Sequence, residues 1–139
     1  MNGRVLSVDP GEKRIGIALS DPTGMIASPL LVLKHVSRAA DAAEIARLAA
    51  EKEAVQIIVG LSLGSDGQST PQSRHSEGLA QAIREHTQIP VALWDESGST
   101  QAARASRIAM GVSRNKRSGH LDEIAATIIL QSYLDAHSE

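Results

Sequence analysis

No cysteine and no phenylalanine occur in this chain, and tryptophan and tyrosine appear once each, as Trp94 and Tyr133. Without cysteine there is no disulfide, no thiolate zinc site and no cysteine nucleophile, which suits a reducing cytosol. The shortage of rings argues against a nucleic-acid platform of stacked aromatics, and leaves Val, Ile, Leu and Ala to build the core. No apolar stretch approaches the roughly 20 residues of a membrane helix. The chain runs directly into a strand-like segment, with neither a basic leader nor a long apolar run, so no secretion signal is expected. The expectation is a cytoplasmic protein without a membrane partner.

A length of 139 residues fits a single domain, 1–139, large enough to bury a core unaided. The formal net charge of −2 and a pI near 6.2 give the whole molecule no general attraction for phosphate. The charge is unevenly spread. From Ser97 to Leu121 no acidic residue occurs, while Arg104, Arg107, Arg114, Lys116 and Arg117 all fall there, so a local basic patch is expected. Arg104 and Arg107 share a helix face at i, i+3, and the other three lie in a loop leading to Asp122. Contacts of this kind bind phosphate with little regard to sequence and weaken with salt.

The apolar pattern predicts the element order βββαβαβαα. Residues 4–9 and 14–20 read as strands joined by Pro10-Gly11-Glu12-Lys13, with Ile15, Ile17 and Leu19 alternating with small residues. Asp21-Pro22-Thr23-Gly24 is a turn, and 25–33 is a third extended segment, completing an antiparallel meander. A helix is expected over 37–53, a buried strand over 55–59 ending at Gly60, and a polar loop over 62–69. Thr70-Pro71 supplies a capping hydroxyl followed by proline at the first helical position, opening a helix to about His86. A strand over 91–94, a helix from about Thr100 to Ala109 and a last helix from about Leu121 to Ala136 complete the chain. Strands that alternate with helices pair in parallel with a right-handed crossover. Sites in such sheets lie at the carboxyl ends of strands, where Asp9, Gly60 and Asp95-Glu96 fall.

Asp9, Asp95, Glu96 and Asp122 are therefore candidates for one shared centre, because carboxylate oxygens suit hard divalent cations. Each has an ordinary structural role as well: a turn former at Asp9, a solvated loop edge at Asp95-Glu96, a complement to the helix dipole at Asp122. Lys13 and Arg14, just beyond Asp9, are candidates to steady a phosphate. His120, two residues before Asp122, is a candidate for proton transfer.

Taken in order, Val8-Asp9-Pro10-Gly11-Glu12-Lys13-Arg14-Ile15-Gly16, Ile58-Val59-Gly60-Leu61, Asp66-Gly67, Trp94-Asp95-Glu96, Ser99-Thr100 and Asp122-x-x-Ala125-Ala126, continuing through Leu130-Gln131-Ser132-Tyr133-Leu134, resemble the YqgF/RuvX family over nearly the whole chain. Members of that family are assigned to pre-16S rRNA processing or to Holliday junction resolution. The resemblance implies a ribonuclease H-like α/β fold with a mixed five-stranded sheet. It also implies a metal-dependent nuclease in which Asp9 bridges two Mg²⁺ or Mn²⁺ ions and Glu96 or Asp95, with Asp122, completes the shell. Two departures stand out. Ser97-Gly98 replaces the family's usual arginine and bulky apolar residue, and serine cannot supply arginine's forked phosphate contact. Ser62 and Gly64 stand where proline and asparagine are common.

The implied partners are structured RNA, with the ribosome or its precursor, or branched DNA, and the implied state is a monomer or a homodimer. A junction-resolving DNA nuclease and a non-catalytic nucleic-acid adaptor of the same fold are the nearest alternatives. An actin-like phosphate-binding module is a poorer fit, since that architecture duplicates the fold over two domains.

Overall fold

The computed structural model describes residues 3–61, 68–95 and 120–137, with the side chains of 120–123 excepted. Strands β1 (Arg4–Pro10), β2 (Arg14–Ser20) and β3 (Ala27–Lys34) precede helix α1 (Arg38–Glu51). Strand β4 (Ala54–Leu61), helix α2 (Pro71–Arg84) and strand β5 (Val91–Asp95) follow, and helix α3 (His120–His137) comes last. The predicted helix at 100–109 lies outside the described residues.

The five strands form one sheet in the order β3-β2-β1-β4-β5. The meander β1-β2-β3 is antiparallel, while β4 joins β1 and β5 joins β4 in parallel. This is the mixed sheet that the sequence pattern predicts. Its topology follows from connection length: the short turns at 11–13 and 21–26 permit only antiparallel neighbours, whereas α1 and α2 supply the crossovers that parallel pairs need.

Alternation along the strands divides the core into two. Leu6 and Val8 of β1, Ile15 and Ile17 of β2, and Ile57 and Val59 of β4 face α1 and α2, meeting Ala42, Ile45, Leu48, Leu79 and Ile83. Val5, Ala18 and Ile58 point the other way, onto Ala126, Ile129, Leu130, Tyr133 and Leu134 of α3. Covered on both faces, β1 and β4 read as nearly continuous apolar runs rather than alternating ones.

The start of α2 is satisfied as the sequence predicts. The Thr70 hydroxyl accepts from the Ser73 amide at 3.0 Å, and the Thr70 amide donates to Ser73 Oγ at 2.8 Å, ahead of Pro71. Ser37 caps α1 through the Ala40 amide at 3.1 Å. Asp41, buried in the first turn of α1, accepts from the Val36 amide at 3.0 Å and pairs with His35 Nδ1.

Candidate active site

The face of the sheet that carries α3 also carries Asp9. Val5 belongs to the α3 core, and Ser7, fully buried, donates its hydroxyl to the Ala126 carbonyl at 2.8 Å. Asp9 is two residues further along, and side chains two apart share a face. Gln131 gives the helix its direction. Its side chain meets the Ala27 amide and the Met25 carbonyl, each at 3.0 Å, and Ala27 pairs with Ser20 at the end where β1 begins. The Ser7–Ala126 hydrogen bond ties α3 to β1 two residues before Asp9.

A row across three strands extends this arrangement. Val8 aligns with Val59 and Gly60 with Trp94, so Asp9, Gly60 and Trp94 lie side by side. Gly60 is required by the approach of α3: a Cβ there would stand 2.5 Å from Ile129 Cδ1. Trp94 meets Tyr133 edge-on with ring centroids 5.3 Å apart and donates Nε1–H to Ser132 Oγ at 3.2 Å. Tyr133 stacks in turn on His137, and burial pushes the Tyr133 phenol upward. Trp94 occupies the α3 face, so by alternation the exposed Asp95 points to the side of α1 and α2.

The turn after Asp9 is tightly drawn. A Cβ at Gly11 would lie 2.3 Å from the Arg14 carbonyl oxygen, so the chain can reverse there only with glycine. Two clefts flank this turn. One, of about 520 Å³, is walled by Pro10, Gly11 and Glu12 on one side and by Thr70, Pro71, Gln72 and His75 of the α2 start on the other. The second, of about 500 Å³, is lined by Glu12, Lys13, Arg14, Val32, Lys34 and His35. Sequence reasoning missed Ser7, Lys34 and the α2 wall, because each gains its meaning from a partner remote in the chain.

Of the four candidate carboxylates, the structure describes the side chains of Asp9 and Asp95 and the helical position of Asp122. Glu96 lies outside the described residues, as do Arg104, Arg107, Arg114, Lys116 and Arg117. Among the described residues no group of three potential metal ligands comes together. The donor chemistry nonetheless suits a hard cation, since Asp9 offers carboxylate oxygen near the carboxyl end of β1.

Comparison with known proteins agrees with this architecture. The family described as RuvX, Holliday junction resolvase, matches residues 3–136. The chain belongs to the RuvX family. A relative from Myxococcus xanthus (strain DK1622), named “Putative pre-16S rRNA nuclease”, is 37% identical over 134 residues, covering 96% of this chain and 89% of the relative. A protein of the same name from Clostridium botulinum (strain Hall) is 38% identical over 136 residues, covering 98% and 99%. Among solved structures, Thermus thermophilus RuvC in complex with a Holliday junction substrate superposes with a TM-score of 0.64 at 13% identity, covering 99% of this chain and 98% of that one. At that identity the likeness carries the fold: this RuvX chain has the ribonuclease H-like sheet of RuvC.

Proposed function

We propose that this RuvX protein is a divalent-metal-dependent nuclease that processes the 5′ end of pre-16S rRNA in the cytoplasm. The observation that supports the reading best is the Ser7–Ala126 hydrogen bond, which anchors α3, the helix that carries residue 122, to the strand that bears Asp9. Family membership and the names of the relatives supply the reaction class and the RNA. Asp9, Glu96 and Asp122 are the residues that would hold Mg²⁺ or Mn²⁺. Glu96 is preferred over Asp95, because Asp95 points to the side of α1 and α2, away from the face that carries Asp9. When bound, the metal ions would supply Lewis acidity and a water of lowered pKa.

The protein's own share of the work is positional. Gly60 and Gly11 let α3 and the following turn close around Asp9, and Lys13 and Arg14 present cations at the rim. The basic segment containing Arg104, Arg107, Arg114, Lys116 and Arg117 would add phosphate contacts, a role that Ser97 cannot perform.

The test is cleavage of a pre-16S rRNA 5′ leader by wild type and Asp9→Asn, each with Mg²⁺ and with Mn²⁺. Loss of the central ligand is expected to cost more than the roughly 10–100-fold typical of an outer-shell partner. Equal cleavage by the two proteins would overturn the assignment. A four-way DNA junction in the same assay separates RNA processing from junction resolution.

A further inference from the structure

Strand register gathers cations that lie apart in the sequence. Asp9 pairs with Gly16, and Gly16 pairs with Val32, forming a row across β1, β2 and β3. One step outward on the same face, Arg14 pairs with Lys34, since residues two apart on a strand share a face. Directly opposed residues of an antiparallel pair project together. Arg14 and Lys34 therefore stand side by side on the face that carries Asp9, and Gly16 interposes no side chain between them and it.

The two residues share a cleft of about 500 Å³ with Lys13, Glu12, Val32 and His35. Lys13, Arg14 and Lys34 are all exposed. Three cations face one carboxylate there, and His35 is engaged by Asp41 of α1. Opposed cationic side chains that project from one face can approach a single anion together. Lys34 lies two strand spacings from the Asp9 strand, roughly 10 Å laterally. That offset is too great for the phosphate at Asp9 and suits another phosphate of the same strand.

We propose that Lys34, opposed to Arg14, forms a phosphate-binding subsite that holds the substrate's sugar–phosphate backbone beside the cleavage centre. The proposal rests on the nuclease reading above and adds to it a residue and a direction of travel: the bound strand crosses the β1–β2 turn toward the β3 edge. Lys34 is a positioning residue. It orients the strand without touching the reacting atoms.

The test measures binding of a fluorescein-labelled oligouridylate over a range of KCl concentrations, with Asp9→Asn in every protein so that the RNA stays intact. Removing one phosphate contact from a single strand lowers the magnitude of the log–log salt slope by about 0.7. Lys34→Ala is expected to show that reduction, Lys34→Arg to retain the parent slope, and Lys34→Glu to fall below Lys34→Ala. A structural role for Lys34 would lower the unfolding midpoint and leave the slope alone. Identical slopes for Lys34→Ala and its parent overturn the subsite while leaving the nuclease reading intact, because wild-type cleavage reports on that reading separately. If the parent protein binds no oligouridylate at any salt concentration, the subsite is overturned outright.

Discussion

Replacing Gly60 with alanine tests how tightly α3 is held to the sheet. The new Cβ would stand 2.5 Å from Ile129 Cδ1 and 3.4 Å from its Cγ1 and Cγ2. Forcing a methyl into a filled core costs about 1–3 kcal/mol, while replacing a strand glycine returns about 0.5–1 kcal/mol. The net expectation is a loss of about 1–2 kcal/mol. Ile129 is fully buried, and Ile129→Val alone should cost about 0.5–1.5 kcal/mol. Valine lacks the Cδ1 that the new methyl strikes, so the double variant should be no less stable than Ile129→Val. Urea unfolding of the four proteins gives the coupling directly. If the effects add to within about 0.5 kcal/mol, the close approach of α3 to β4 is not what requires glycine. Cleavage should follow the same cycle, falling in Gly60→Ala by more than the folded fraction explains and recovering in the double variant.

Two further expectations concern turns. Asp21 accepts hydrogen bonds from the Thr23 hydroxyl and from the Met25 and Ile26 amides, and these, led by Thr23, hold its carboxyl well below the ordinary range. A depressed carboxyl contributes stability above its unfolded pKa of about 3.9 and loses it as pH falls toward the folded value. The gap between wild-type and Asp21→Ala urea midpoints should thus stay constant from neutral pH to about 4 and narrow below it; a gap that widens in acid refutes the assignment. Gly11→Ala sets a Cβ 2.3 Å from the Arg14 carbonyl oxygen, a backbone atom that cannot rotate aside. It should cost about 1–3 kcal/mol and weaken RNA binding together with stability, as read by urea unfolding and fluorescence titration on the same sample.

The strands and helices were largely legible in the sequence because their signals are local. The alternation of Ile15, Ile17 and Leu19 marks β2, and Thr70-Pro71 marks the start of α2 within one residue. The strand-end placement of Asp9 and Asp95 was legible for the same reason. What could not be read was which face each side chain takes. The face that Asp95 takes is hidden until Trp94 is seen against Tyr133, and Lys34 is an ordinary exposed lysine until the register sets it opposite Arg14. Register is decided by pairing between distant segments, and a slip of one residue reverses every face. Ser7 shows the same limit: nothing near it in the sequence announces a partner 119 residues away.

That separation bears on how the protein comes into being. Among the described residues, the core over α1 and α2 draws none from α3, so a chain still emerging from the ribosome can close that half of the molecule by itself. The other half waits for α3, whose residues complete the core on the opposite face. Ordering so distant a contact is among the slower steps a small domain takes. A nascent chain is accordingly closed on one face first, and the opposite face of the sheet is covered only once α3 has emerged.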